Sequence, residues 1–386
     1  MRCGKTALTA NLQASYPPKT PSAMVSLRCL LISASLACCQ ALSAAEAPSA
    51  KDSAARDMAV LAAAASKEGR LRSAGMPDAW ANWRSTWADL KRLYGIAHED
   101  ENMNSAVIIS RMAADGAEAS LDIGDVGFEY GAIARGRGVS RPHKPAQWAQ
   151  IPSWAKDEEG YWALAYTGTI AFLVNTRRTG GRVPRSWHEL FEGGYKVGIG
   201  EVGSSAQSSA SVLAAAIALG GDETNLQPAL QQFAKLAKQG RLVFKNPGPA
   251  KPEQAGVEVF LMWDFLALSQ RDKLPKPADY AVLIPSDGSV TSGYTTVLNL
   301  HAPHPNAAEL AREYIFSDAG QLNLAQGFAR PIRIEHLQLP EALRRQLLDS
   351  AQYKSARVIK PFVWAWEVKK LPTLWQRQVL QQAGPP

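Results

Sequence analysis

Cysteine is missing from nearly the whole chain. All four cysteines, Cys3, Cys29, Cys38 and Cys39, lie near the start of the 386-residue sequence. Residues 46–386 have none, which excludes disulfides and thiolate metal sites there. Long apolar runs are also scarce. The run over 30–42 is shorter than the ~20 residues a bilayer span needs. Excess charge is small: the formal net charge is +7, and Arg2, Lys5, Lys19 and Arg28 supply four of it. The remainder is too little for nucleic-acid binding. Arg135, Arg137, Arg141 and Lys144 are separated by glycines and prolines and read as a solvated loop. Hydrolytic signatures are missing too, with no G-x-S-x-G and no zinc-ligand spacing. The six histidines are scattered. His301 and His304 are three apart, but Pro303 and Pro305 put them in a loop rather than on one helix face.

The segment 24–45 has the parts of a secretory leader: Arg28, the apolar run, then Ser43, Ala44 and Ala45 before Glu46. Cleavage is expected near Ala45, making 1–45 a signal peptide, with Met24 the alternative start. Leu36, Ala37, Cys38 and Cys39 partly match a lipobox, so a lipid anchor competes with a released protein. Ser35 stands where that motif has a large aliphatic residue.

The rest is long enough for two domains of ~100–200 residues. Helices are expected over 52–68, 79–94 (Trp80, Trp83, Trp87, Leu90 and Tyr94 at spacings of three and four), 105–114, 186–192, 206–219, 306–316, 341–348 and 371–382. Asp78 is the expected N-cap of the second. Strands are expected over 70–74, 121–127 (running into a glycine-rich loop), 196–199, 257–262, 281–284 and 294–300. An extended apolar run over 161–175 reads as a crossing between lobes. This alternation argues an α/β architecture with largely parallel sheets. Val363, Trp364, Trp366 and Trp375 suggest that the tail packs on the first lobe, since exposed they would form an apolar patch.

Gly198, Gly200 and Gly203 satisfy G-x-G-x-x-G after a strand and before a helix. The acid a dinucleotide fold needs at the end of a second parallel strand ~20 residues on is missing, because Asp222 and Glu223 fall in a turn. No cofactor is expected. Ser204 and Ser205 put hydroxyls at a helix N-terminus, where free N–H groups and the helix dipole favour anionic groups. Either serine can also cap its own helix.

Two acid–tryptophan pairs stand out, Asp78 with Trp80 and Trp83, and Trp263 with Asp264. Desolvating an ammonium costs several kcal/mol, whereas one aromatic face returns ~0.5–2, so a carboxylate must accompany the ring. Each pair follows a strand's carboxyl end, where open α/β sheets place ligands. The alternative for each is a cap and a core tryptophan.

Four stretches resemble the periplasmic solute-binding proteins of ABC importers, in the group of polyamine-, ferric-ion-, thiamine- and phosphonate-type binders. They are AAAASKEGRLRSAGMPDAW, LDIGDVGFEYG, SWHELFEGGYKVGIGEVGSS and IPSDGSVTSGYTTVLNLHAPHPNAAELAREYIFSDAGQLNLAQGFARPIR. The last holds the Ser-Asp-x-Gly-Gln turn at Ser317, Asp318, Gly320 and Gln321. The resemblance implies a two-lobed α/β periplasmic-binding-protein-like fold of type II, with two crossover strands as hinge. Lobe 1 would comprise 46–166 and 297–386, and lobe 2 167–296. It implies a non-enzymatic, periplasmic monomer that carries a small solute to an inner-membrane ABC permease. Its cleft positions would be Asp78, Trp80, Asp125, Thr167, Thr169, Ser204, Ser205, Trp263, Asp264 and Tyr294. Ferric binders of the group present adjacent tyrosines about where this chain has Trp263 and Asp264, and hard Fe(III) wants anionic oxygen. An amine-bearing solute is therefore expected, a polyamine or an aminophosphonate. Ferric ion, a phosphorylated solute or a secreted enzyme are the alternatives. Asp264→Ala is expected to weaken binding at least tenfold.

Overall fold

The computed structural model describes residues 50–244 and 256–382. The expected signal peptide lies outside the described residues. The chain opens with α1 (Ala50–Glu68), β1 (Arg70–Ala74), α2 (Trp83–Tyr94), β2 (Ala97–Glu101), α3 (Ser105–Asp115), β3 (Ile123–Gly127) and α4 (Phe128–Gly136). It continues through β4 (Ser140–Arg141) into the long β5 (Trp162–Asn175). Next come α5 (Trp187–Glu192), β6 (Val197–Ile199), α6 (Ala206–Ala218), α7 (Gln227–Lys238), β7 (Leu242–Phe244), β8 (Val259–Trp263), α8 (Asp264–Lys273) and β9 (Tyr280–Leu283). β10 (Ser289–Asn299) precedes α9 (Pro305–Phe316), α10 (Asp318–Gln326), β11 (Arg330–Pro331), α11 (Glu341–Gln346), β12 (Ala356–Val358), α12 (Pro361–Glu367) and α13 (Leu371–Gln378).

The main strand order is β2-β1-β3-β10-β5-β8-β6-β7. β5 is the crossing: its first half pairs with β10, and Ile170 to Val174 pair with β8. Every residue of β5 is buried, as a strand covered on both faces requires, and this explains its mostly apolar sequence, interrupted only by Thr167, Gly168 and Thr169 before the final Asn175. β10 is the second crossing, pairing with β3 at one end and β12 at the other. The molecule is thus two-lobed, with β1 to β3 in the first lobe and β6 to β9 in the second. Parallel pairing is confined to the lobes and the β10–β12 pair; the crossing strands run antiparallel to their main neighbours, so the sheet is mixed rather than largely parallel. Strands that return between lobes reverse direction, and that forces the antiparallel centre. Among the described residues no helix is long and apolar enough to cross a membrane.

Several local expectations are corrected. α2 begins at Trp83, with Asn82 as its cap residue, because Ala81 and Asn82 take left-handed backbone conformations that break the helix. Asp78 therefore caps nothing and lies exposed, paired with Arg84 at 3.3 Å. Residues 128–136 form α4 rather than a glycine-rich loop, since Gly131 packs against the Trp162 ring where a side chain would collide. Arg135 pairs with Asp157 and Glu159, and Arg141 with Glu309, so they are ion-paired rather than loop cations. The tail does not stay on the first lobe. α12 lies on α4, but α13 lies on α7, with Trp375 edge-on to Phe233 at 5.4 Å.

Candidate functional site

A cavity of about 510 Å³ opens between the lobes, within the range usual for small-molecule sites. The turn after β1 supplies Trp80, the start of α3 supplies Asn104 and Ser105, and the β3–α4 junction supplies Asp125, Glu129 and Tyr130. Across the cleft stand Gly203, Ser204 and Ser205 at the start of α6. Tyr294 of β10 and Val368, Lys369 and Pro372 of the tail complete the wall.

Tyr294 sits where the β10–β5 register shifts between Tyr294 and Thr295. Such a bulge re-aims a side chain, and here the ring meets the cavity. Trp80 stands edge-on to Tyr294 at 5.3 Å and to Phe265 at 5.4 Å. Its indole N–H donates to the Tyr166 hydroxyl at 2.6 Å, which donates to Asp125 Oδ2 at 2.7 Å. Asp125 Oδ1 makes no well-formed hydrogen bond, and the buried Trp83 indole N–H, also without one, acts on the same carboxyl of this cavity-lining residue. Burial raises the Asp125 carboxyl well above the usual range, against the lowering effect of the Tyr166 bond. Burial also raises Glu129 and the phenol of Tyr294. The first-lobe wall therefore places acids whose neutral form burial favours beside aromatic faces.

The facing wall has the opposite character. Ser205 caps α6, its hydroxyl accepting from the Ser208 N–H at 3.3 Å, and Ser209 accepts from the Gly203 N–H at 3.0 Å. The first-turn N–H groups of a helix have no intrahelical acceptors and carry partial positive charge. Asn104 caps α3 in the same way on the first-lobe side. Among the described residues Lys369 is the one basic residue in the lining, its ammonium 4.5 Å from the exposed ring of Trp366.

Of the residues expected in the cleft, the structure brings together Trp80, Asp125, Ser204, Ser205 and Tyr294. Asp78 lies in a separate groove with Arg84, Lys273 and Gln326. Trp263 and Asp264 are buried in the second lobe. Both Asp264 oxygens are taken, Oδ1 by the Thr169 N–H at 2.9 Å and Oδ2 by the Tyr353 hydroxyl at 2.6 Å. Thr167 and Thr169 are buried in β5 and do not line the cavity. Sequence reasoning missed Glu129 and Tyr130, although a strand ending at Gly127 could have pointed to the residues just after it. Lys369 and Pro372 carried no such signal.

Two lobes, two crossing strands and a cavity between them define the type II periplasmic binding fold, and solved structures bear this out. A periplasmic binding protein, AfuA, from Actinobacillus pleuropneumoniae with bound fructose-6-phosphate is 15% identical with a TM-score of 0.64, covering 80% of this chain and 98% of its own. Iron-bound HitA from Pseudomonas aeruginosa is 14% identical with a TM-score of 0.65, at 80% and 98% coverage. The Atu4243 GABA receptor is 16% identical with a TM-score of 0.62, at 82% and 98%. Their solutes differ, so the fold does not select one. Among curated proteins none matches the chain in sequence. The family model of the bacterial extracellular solute-binding proteins matches residues 128–354, and the chain belongs to that family. Membership implies a small-molecule solute and an ABC permease as partner.

Proposed function

We propose that the protein is the periplasmic receptor of an ABC importer for a small zwitterionic solute of the aminophosphonate type. The observation that carries this reading is the polarity across the cleft. Asp125 Oδ1, which lacks a well-formed hydrogen bond, Glu129 and the rings of Trp80 and Tyr294 suit an ammonium. The α6 start with Ser204 and Ser205 suits a phosphonate or phosphate, with Lys369 near the same cavity. A polyamine has less support, because Asp78 and Asp264, the two other acids expected to meet it, stand elsewhere. Closure would follow from the solute bridging both walls, which gives the closed form its differential affinity.

Titration calorimetry with 2-aminoethylphosphonate, spermidine and ferric citrate tests the assignment. Binding of the first at micromolar Kd, ~−8 kcal/mol, with no heat from spermidine supports it. Tight spermidine binding overturns it. So does a visible ferric–phenolate absorption band, since Tyr130, Tyr294, Asp125 and Glu129 are oxygen donors of the kind Fe(III) takes.

A further inference from the structure

The tail beyond residue 354, where the family match ends, touches the second lobe, then the first, then the second again. Its first foot is β12, paired in parallel with Ser289 to Thr291 of β10, with the Ile359 N–H donating to the Thr291 carbonyl at 3.0 Å. Glu223, only 1% exposed, accepts from Arg357 Nη2 at 2.8 Å and from the Lys360 N–H at 3.1 Å. The chain then rises onto the first lobe, where α12 lies on α4 and Trp364 is its one buried residue. It returns along the cavity wall through Val368, Lys369 and Pro372. Pro372 presses on Gly203, where an added Cβ would lie 2.5 Å from the ring. Leu371, Trp375 and Val379 are then buried on the second lobe against α7 and its neighbours.

We propose that residues 356–379 form a strap, a third and non-covalent link between the lobes, which must let go of α4 before the cleft opens. β5 and β10 can bend and still join the lobes, whereas the strap reaches from one lobe to the other and is part of the cavity wall. When the lobes part, one of its contacts must break. The second-lobe feet combine a strand ladder, an ion pair from half-exposed Arg357 to buried Glu223, and three buried side chains. The first-lobe contact is a seven-residue helix with a single buried residue, flanked by exposed Phe362 and Trp366. The weaker contact yields first, so the strap stays with the second lobe and Trp364 acts as the latch. Burial of that ring biases the solute-free protein toward the closed form, as any contact made in only one of two states does. The inference needs only the fold and the strap, not the identity of the solute.

The test uses the solute-free full-length protein. Amide hydrogen exchange over 102–107 and 203–209 and the radius of gyration from small-angle X-ray scattering are compared for wild type, Trp364→Ala and Trp366→Ala. Release of the latch should make exchange in both cleft segments about tenfold faster and enlarge the radius, while Trp366→Ala, altering an exposed ring on the same helix, matches wild type. Faster exchange confined to 361–367, with the cleft segments and radius unchanged, overturns the proposal. If Trp364→Ala does not fold, Trp364→Phe should shift the same readouts in the same direction by a smaller factor, and unchanged readouts overturn the proposal. Failure of 2-aminoethylphosphonate to bind would leave these results standing.

Discussion

Tyr166 donates its hydroxyl to one oxygen of Asp125 at 2.7 Å and leaves the other oxygen of that buried carboxyl, in a residue that lines the cavity, without a well-formed hydrogen bond. Tyr166 is itself fully buried in the first crossing strand, so it fixes the carboxyl's direction without touching the cavity. Burial favours the protonated form of Asp125. An ammonium brought to the other oxygen would favour the ionised form, and binding of a cationic group should release a proton.

Asp125→Asn is accordingly expected to weaken 2-aminoethylphosphonate binding by roughly 10- to 100-fold, the ~1.5–3 kcal/mol of a hydrogen bond to a charged group. Methylphosphonate, which has no amine, should be insensitive. Calorimetry in buffers of different ionisation enthalpy reads the proton released in the wild type, and the variant should release less. Equal loss for both compounds would remove Asp125 from the amine subsite.

Asp264→Ala should lower stability rather than affinity. Its carboxyl satisfies the Thr169 N–H and the Tyr353 hydroxyl in a buried setting, and each stranded partner costs ~1–3 kcal/mol. A fall of roughly 2–5 kcal/mol in urea unfolding is expected, with binding little changed at temperatures where the variant is folded. A large loss of affinity at full stability would return Asp264 to the site.

His98 gives a pH signature. Its ring stacks on Trp87 at 3.9 Å, and Nε2 lies 2.8 Å from the Ser73 hydroxyl, which donates to Asp100. Burial lowers the His98 pKa from 6.5 to about 4. The unfolded chain therefore binds a proton below pH 6.5 that the folded protein refuses until about pH 4. This contribution to stability is full above the unfolded value and is lost as pH falls between the two. Asp100, raised by burial, works in the opposite sense, so the comparison is with His98→Gln. Urea midpoints from pH ~7 to ~4 should fall more steeply in wild type than in the variant. Parallel slopes would show that His98 titrates normally.

Much of the fold was legible in local pattern. The recurrence of Trp83, Trp87 and Leu90 marks the buried face of α2, and the long, mostly apolar run of β5 marks a strand covered on both sides. The α2 start was misread because two left-handed residues break it, and neither has a sequence signal as strong as glycine. β2, with the sequence Ala-His-Glu-Asp-Glu, was not seen at all, because an acidic edge strand buries too little to show an apolar period.

The sequence by itself determined the positions of most helices and strands and the cysteine-free body, because strand ends and helix starts are written in local residue types; Asp125 and Tyr294 were expected in the cleft only through the family resemblance. Tertiary structure decided which carboxylate faces the cavity. Asp125 lies within β3 and Asp264 opens α8; Tyr353, 89 residues away, takes up Asp264, while one oxygen of Asp125 has no well-formed hydrogen bond. It also decided that the tail straps the lobes, with Trp375 meeting Phe233 and α12 meeting α4. Such pairings join residues far apart in the chain. Periodicity shows that a side chain is buried, and only the folded chain shows against what.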